Sequence, residues 1–256
     1  MANVAHASLT GANLHEPKGV AAAAVDKVYV SDGAGSGAWQ KIETDQLDST
    51  GQNIGRIIVA DGANGTSWTQ AVWKDLIGDI SPKTSGATAP TFGAYRGNVW
   101  QYSFDSGDES HFTFHVPHDY KPGSDMYIHV HWSHTDAVSI TGNIQFTFDV
   151  TYAKGHNQAN FAAPIALTTS TYATTNLATT PQYRHRIEEV QLSAASPTAS
   201  QLDSDDLEVD GIIMVRTMCP TQPTFGGTGK VFIHTVDIHY QAAYIGTKNK
   251  VPDFYV

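Results

Sequence analysis

Histidine is the residue type in this sequence that offers the most chemistry. Twelve are present among 256 residues, and four of them alternate with apolar residues in HFTFHV (111–116) and MYIHVHWSH (126–134). Alternate residues of a β-strand project from one face, so His111 and His115 share a face, as do His129 and His131, with neighbouring side chains about 7 Å apart. Imidazoles arranged in this way can ligate a transition metal, move protons, or hydrogen-bond to cross-strand neighbours.

The connection between these two strands, PHDYKPGSD at 117–125, is short enough to predict an antiparallel pair. In that pairing His111 lies near His131. One such pair cannot complete a metal site, but three copies around a threefold axis can, so His129, His131 and His111 are the candidate metal ligands. Histidines bonded to cross-strand partners or packed at a subunit interface are the competing interpretation, and catalysis is a third. No other cofactor is expected.

Enzyme signatures are not found in the sequence. The Gly-rich segments SDGAGSGAW (31–39) and ADGANGTSW (60–68) lack the Lys-Ser/Thr that a phosphate loop needs, and each ends in Trp. There is no G-x-S-x-G elbow and no H-E-x-x-H motif, and Cys219 is the single cysteine. Glu188 and Glu189 are adjacent in a predicted strand, so their carboxylates point to opposite faces. We therefore expect a non-enzymatic protein.

The charge balance argues against two classes of partner. The formal net charge is −10, from 15 basic and 25 acidic residues, and no long Lys/Arg cluster occurs. Little would neutralise phosphates, so neither nucleic acid nor a membrane surface is expected as a partner. The sequence also contains no apolar run long enough to span a bilayer, and residues 1–11 lack the pattern of a signal peptide.

The elements that must position the histidines lie in the last zone of the chain, 94–256. In NIQFTFDVTY (143–152) apolar residues alternate strictly with polar ones, which predicts a half-buried strand. Further strands are predicted at 98–104, 186–192, 208–216 and 231–241, with turn residues between them. Seven or eight strands with long loops indicate an all-β, jelly-roll-like two-sheet sandwich.

The first zone, 1–80, carries a tandem repeat that predicts two hairpins. Each unit has a short apolar strand, an Asp-Gly turn and a returning Trp, with Trp39 in the first copy and Trp68 in the second. The spacing of Trp73, Ile77 and Ile80 predicts a short helix near 68–78. Because solitary hairpins are marginal in water, we predict an extended anchoring arm that docks on a partner. Its contact residues are Trp39, Trp68, Tyr29, Ile58, Leu47 and Leu76.

The domain boundaries follow from composition. Residues 1–80 form the predicted arm, the Pro/Gly/Ser/Thr-rich segment 81–93 is a linker, and 94–256 is the β-sandwich domain. Aromatic side chains such as Trp100, Tyr172 and Tyr183, if exposed, would also suit a sugar-binding module or a glycan hydrolase.

Three segments carry a resemblance to a known group of proteins. LHEPKGVAAAAVDKVYVSDGAGSGAW (14–39) resembles the start of many tailed-phage fibre and capsid-associated proteins. HVPHDYKPGSDMYIHVHW (115–132) and VDIHYQAAYIGTKNKVPDFYV (236–256) are similar to a phage virion domain with an HxHW strand. The resemblance implies a homotrimeric bacteriophage virion structural protein, assembled in the cytoplasm of the host bacterium, with no catalytic residue to transfer.

Two roles follow from that resemblance. The first is a capsid decoration (cement) protein, whose arm binds the major capsid protein or other virion proteins while its β domain trimerises. The second is a tail or head fibre or adaptor protein that presents a β domain to a receptor, with a glycan as the candidate ligand.

Overall fold

The computed structural model describes residues 28–31, 37–40, 58–60, 66–68, 72–137, 140–172, 181–243 and 246–254. The chain divides into two compact units, Met1–Asn53 and Ile54–Val256. Every regular element in the described ranges is a β-strand, which confirms the all-β prediction. The same ranges contain no helix long and apolar enough to cross a membrane.

The strands are numbered in chain order. The first unit contributes β1 (Val28–Ser31) and β2 (Gly37–Gln40). The second unit contributes β3 (Ile58–Ala60), β4 (Thr66–Trp68), β5 (Val72–Ile77), β6 (Ser81–Pro82), β7 (Thr91–Arg96), β8 (Val99–Phe104), β9 (Glu109–His115), β10 (Tyr127–His134), β11 (Ile140–Thr141), β12 (Gln145–Ala153), β13 (Ile165–Thr168), β14 (Arg186–Gln191), β15 (Ser193–Ala194), β16 (Leu202–Asp203), β17 (Ile212–Thr221), β18 (Thr224–Phe225) and β19 (Val231–Ala242).

Each copy of the tandem repeat forms a two-stranded antiparallel hairpin. In the first, β1 pairs with β2 so that Tyr29 lies opposite Trp39. In the second, β3 pairs with β4 so that Ile58 lies opposite Trp68. The hairpins predicted from the Asp-Gly turns are therefore confirmed in their strands, while the turn residues themselves lie outside the described ranges.

Two larger sheets form the sandwich. The six-stranded sheet has the order β14-β10-β19-β8-β7, with β5 also paired to β19, and the five-stranded sheet has the order β13-β12-β17-β9-β6. All pairs within both sheets are antiparallel. From β9 to β19 the chain passes repeatedly from one sheet to the other, as expected of the predicted jelly-roll-like sandwich.

The core lies between the two sheets and follows directly from the alternation in the sequence. Ile128, Val130 and Trp132 of β10 are fully buried, and so are Phe146, Phe148 and Val150 of β12. The rings of Trp132 and Phe146 meet across the core with centroids 5.9 Å apart. Period-2 patterning places one face of each strand in the core, and hydrophobic burial holds the sheets together.

The predicted pairing of the two histidine-bearing strands is wrong. Strand β9 lies in the five-stranded sheet beside β17, whereas β10 lies in the six-stranded sheet between β14 and β19. The connection between them is not a surface turn, because its Tyr120 and Met126 are fully buried. The segment that contains these two buried side chains crosses from one sheet to the other, so His111 and His131 belong to different sheets.

The helix predicted near 68–78 is also wrong over residues 72–77, which form strand β5. This strand pairs with β19 in a register that sets Leu76 opposite Ile238. The edge of β19 offers backbone donors and acceptors that a neighbouring strand can satisfy and a helix cannot. The spacing of Trp73 and Ile77 fits one face of a strand as well as one face of a helix. Tertiary pairing therefore decides which of the two forms. Residues 69–71 lie outside the described ranges.

Parts of the predicted arm and linker pair with strands of the later zone. β5, from the segment assigned to the arm, completes the six-stranded sheet. β6, from the segment assigned to the linker, pairs with β9, and β7 begins before the linker's predicted end. The remaining boundary between arm and sandwich stays a prediction.

Candidate functional site

The outer face of the six-stranded sheet brings histidines and carboxylates together. His129 of β10 lies between Glu189 of β14 and Asp237 of β19 in the strand register. Two residues further along β19, on the same face, His239 lies opposite Asp75 of β5. We call the set His129, His131, His239, Asp75 and Asp237 the histidine face.

Asp237 is the centre of this face. Its side chain is 4% exposed, and His131 Nε2 donates a 2.8 Å hydrogen bond to Asp237 Oδ2. His129 Nδ1 lies 3.3 Å from the other oxygen, Oδ1. Two imidazoles thus approach one buried carboxylate from a single strand, because alternate residues of β10 share a face.

The second ring nitrogen of His129 and of His131 also has a partner. His129 Nε2 lies 2.8 Å from Glu189 Oε2, and His131 Nδ1 lies 2.8 Å from Nε2 of His185. Beside them Trp73 contacts the ring of His239, with centroids 4.8 Å apart. His129 and His131 are therefore each oriented through both ring nitrogens.

The electrostatics of the face follow from this geometry. The contact with Asp237 raises the pKa of His129, although burial opposes the shift, and Glu189 adds to it. Burial acts to raise the pKa of Asp237, but its contacts with His129 and His131 outweigh burial and lower the pKa to about 2. The carboxylate is thus ionised across the physiological range, and it favours a cation beside it.

His234 lies at an irregularity where β19 inserts one extra residue against β10. Its Nε2 is 2.8 Å from Ser133 Oγ, and its ring meets that of Tyr95 edge-on. Burial lowers the pKa of His234 to about 4, with further lowering from the charges of His185 and His131. His234 is thus a half-buried, hydrogen-bonded histidine.

We expect His234 to make the protein less stable in acid. The unfolded chain binds a proton at His234 near the ordinary pKa of 6.5, whereas the folded chain resists it until about 4. Stability is therefore lost as the pH falls from about 6.5 to 4. His234→Gln should reduce the loss between pH 7 and 4.5 by about 2 kcal/mol, measured by urea unfolding at both pH values. Equal losses in parent and variant would contradict this assignment.

A second cluster surrounds Asp210, away from the histidine face. His118 Nε2 and His115 Nε2 lie 2.8 and 3.2 Å from Asp210 Oδ1, and His156 Nε2 lies 2.9 Å from Oδ2. Burial acts to raise the pKa of Asp210, but the contacts with these imidazoles outweigh burial and lower it. The ring of Phe254 packs against His118 and His156. The cluster fastens the segment 246–254 to the sandwich.

His111, the third predicted metal ligand, lies apart from the other two. It lines a groove of about 300 Å³ on the five-stranded sheet, together with Asp149, Met214 and Arg216. Arg216 forms ion pairs with Asp149 and Glu109 there. Within one chain, His111 therefore cannot join His129 and His131 at one metal ion.

The β7–β8 hairpin carries an exposed aromatic surface. Phe92 lies opposite Tyr102, with ring centroids 4.9 Å apart, and Trp100 lies 5.8 Å from Phe92. Phe92 and Trp100 remain 54% and 56% exposed. We call Phe92, Trp100 and Tyr102 the aromatic face. Among the described strands β7 stands at the end of the sheet order, so this face lies at a sheet edge.

The opposite side of the same hairpin is fixed to the sandwich. Tyr95 packs against the ring of Phe232 at 4.9 Å and hydrogen-bonds with Ser133 Oγ at 2.8 Å. Its ring also meets that of Tyr183 edge-on, while Arg96 lies over Tyr183. These contacts hold the hairpin in place, so the exposed rings are presented on a supported surface.

The predicted anchoring residues have separate locations. Trp39 is partly exposed and contacts Tyr29 edge-on at 5.5 Å. Leu76 packs against the sandwich core. The strand positions of Ile58 and Trp68 are described but their side chains are not, and Leu47 lies outside the described ranges. Whether these residues contact a partner stays a prediction.

Sequence reasoning missed Asp237, Asp75 and Glu189 as partners of the histidines. A local signal existed for the first, because Asp237 and His239 alternate in VDIHY and must share a face. It also missed Phe92 in the aromatic face, since its pairing with Tyr102 depends on the hairpin register. Trp100 is exposed as predicted, whereas Tyr172 and Tyr183 are half-buried, with Arg186 over the former.

The fold and these surfaces define the chain as an all-β, two-sheet sandwich protein. No protein-family model and no curated protein matches it. Among solved structures it is similar to TmCBM61 in complex with β-1,4-galactotriose, with 10% identity over 66% of this chain and 88% of that one, at a TM-score of 0.24. It is also similar to the C-terminal family 22 carbohydrate binding module of Clostridium thermocellum Xyn10B, with 13% identity over 74% and 92%, at a TM-score of 0.20. Similarity at these scores carries no information about what this chain binds.

Proposed function

We propose that this chain is a non-enzymatic virion protein of the fibre or adaptor type, whose β-sandwich binds a receptor glycan. The observation that carries the binding role is the aromatic face, where Phe92, Trp100 and Tyr102 are presented on one side of a supported hairpin. The virion context comes from the sequence resemblance to tailed-phage proteins.

The chemistry of the aromatic face suits a sugar. The C–H patch of a pyranose ring packs on an aromatic ring, and burying such rings provides much of the free energy at binding surfaces. Phe92 and Trp100 are exposed and have ring centroids 5.8 Å apart, while Tyr102 also packs against the sandwich core. Two adjoining exposed rings suit a ligand with more than one sugar unit, so we propose an oligosaccharide. The three side chains of the aromatic face are themselves uncharged, which favours a neutral glycan.

Exposure supports a binding role for this face over a purely structural one. Large aromatic side chains are seldom left more than half exposed, and clustered exposed apolar residues mark interaction sites. Elsewhere in the described ranges, exposed apolar side chains occur both in loops, such as Phe161, and on paired strands, such as Trp73 and Ile77 of β5. The aromatic face differs because two aromatic rings that are each more than half exposed, Phe92 and Trp100, contact one another.

The proposal is tested by titrating the protein with a panel of neutral oligosaccharides and following tryptophan fluorescence and calorimetric heat. Trp100→Ala should weaken binding by at least about tenfold, as for a central aromatic contact. Its free energy of unfolding should change by less than about 0.5 kcal/mol, because the side chain is exposed.

Phe161→Ala is the matched control, since it removes an aromatic ring of similar exposure from a loop outside the aromatic face. This variant should bind like the parent. A panel without any ligand, or equal effects of the two variants, would contradict the glycan-binding proposal.

A second candidate function, capsid decoration, is favoured by the Tyr29–Trp39 pair on the first hairpin. Tyr29 is 36% exposed, and Trp39 is only partly buried in its own unit. Such a pair would serve as the predicted anchor on a capsid protein. The number of copies in purified virions separates the two roles, since decoration requires hundreds of copies and a fibre only a dozen or so.

A further inference from the structure

The histidine face contains groups of side chains whose geometry matches a metal site. Two overlapping sets, Asp75 with His129 and His239, and His129 with His131 and Asp237, each place three ligand atoms within 4.8 Å of one another. Imidazole nitrogens combined with a carboxylate oxygen suit zinc and neighbouring divalent transition metals.

The second set has the tighter geometry. Its two nitrogen–oxygen separations are 2.8 Å, from His131 to Asp237 Oδ2, and 3.3 Å, from His129 to Asp237 Oδ1. In a tetrahedral zinc site with bonds near 2.0 Å, ligand atoms lie about 3.3 Å apart. Only small side-chain movements would therefore admit an ion. The first set is looser, because His239 and the exposed Asp75 are 3.8 Å apart.

Asp237 supplies an independent observation. Its Oδ1 is buried, and within the described part of the chain its 3.3 Å contact with His129 Nδ1 is not aligned as a hydrogen bond. A buried carboxylate oxygen with only such a contact is unfavourable, because its lost hydration is incompletely replaced. A bound cation would be a stronger partner.

The other nitrogen of each histidine is occupied in the way that metal ligands require. His129 Nε2 faces Glu189 and His131 Nδ1 faces His185, both at 2.8 Å. In metal sites the nitrogen that does not bind the ion usually donates to such an outer partner, which fixes the tautomer and the ring orientation. Both histidines project from one strand of a paired sheet, so their backbone positions are already set.

We propose that His129, His131 and Asp237 bind one divalent transition-metal ion per chain, with Glu189 and His185 as orienting partners. All ligands come from a single chain, in contrast to the threefold arrangement expected from the sequence. The site is separate from the aromatic face, and it stands whether or not the protein binds a glycan. Three protein ligands leave a fourth position for water or a partner's side chain.

The test uses the full-length protein after dialysis against a chelator, titrated with Zn²⁺ by calorimetry and with Co²⁺ by visible absorption. One ion per chain should bind, and Co²⁺ should show the visible bands of an ordered nitrogen–oxygen site. Asp237→Asn and His131→Gln should each weaken binding by more than about 100-fold, whereas Glu189→Gln should weaken it by about tenfold.

His111→Gln is the control, because it removes a strand histidine from the other sheet and should leave Zn²⁺ affinity unchanged. Circular dichroism verifies the fold of each variant, and His131→Gln keeps the test valid should Asp237→Asn not fold. Failure of the parent to bind one ion per chain would overturn the proposal. So would loss of binding in His239→Gln with retention in His131→Gln.

Discussion

Replacing Trp132 by alanine is expected to lower the free energy of unfolding by about 3–5 kcal/mol. The side chain is fully buried and meets Phe146 of the opposite sheet. Its removal leaves a cavity between the sheets. It also removes the donor that Trp132 Nε1 provides to Glu188 Oε1 at 3.3 Å. Burial raises the pKa of Glu188, and the hydrogen bond from Trp132 opposes that rise, so the substitution removes one of the contacts that favour the ionised carboxylate.

Urea unfolding at pH 7 measures this effect, and Trp100→Ala is the matched control. Both variants lose an indole from the six-stranded sheet, but Trp100 is 56% exposed whereas Trp132 is fully buried. Comparable losses of stability in the two variants would mean that Trp132 does not join the two sheets.

Gly211→Ala is expected to cost about 1–3 kcal/mol, because there is no space for a methyl group at this position. A Cβ on Gly211 would lie 2.5 Å from Cε2 of Tyr152, 2.7 Å from its hydroxyl, and 2.9 Å from the backbone oxygen of Glu208. Tyr152 cannot simply move aside, since its hydroxyl accepts a 2.9 Å hydrogen bond from the backbone N–H of Glu208. The substitution must therefore displace the segment that leads into β17.

Thermal unfolding followed by circular dichroism is the measurement. Gly93→Ala is the control, because a Cβ there meets no atom within 4 Å, and it should leave the melting temperature close to that of the parent. A Gly211→Ala protein as stable as the Gly93→Ala protein would show that the contact with Tyr152 is not tight.

Local patterns in the sequence predict the strands well. The alternation in 143–152 and 126–134 identifies β12 and β10 and the face on which His129 and His131 lie, because strand periodicity is a property of neighbouring residues. Pairing is different. The connection 117–125 is compatible with either a hairpin or a crossing between sheets, and only the burial of Tyr120 and Met126 distinguishes them.

The candidate site was therefore predicted in part. His129 and His131 could be assigned to one face from their spacing alone. Asp237 and Glu189 reach that face through the registers of β19 and β14, which are separated from β10 by long stretches of chain. Asp237, and not His111, is the third residue beside His129 and His131 because of this non-local strand pairing. No local sequence pattern encodes that pairing.

The position of β19 in the six-stranded sheet also bears on how the chain folds during synthesis. This strand pairs with β10, β8 and β5 and follows all three in the chain, so it leaves the ribosome after them. Until it emerges, these three strands have exposed backbone edges with no partner on that side. Because the contacts that complete the sheet are so distant in sequence, folding should be slow. Ribosome-bound chains that end before residue 231 should depend on chaperones.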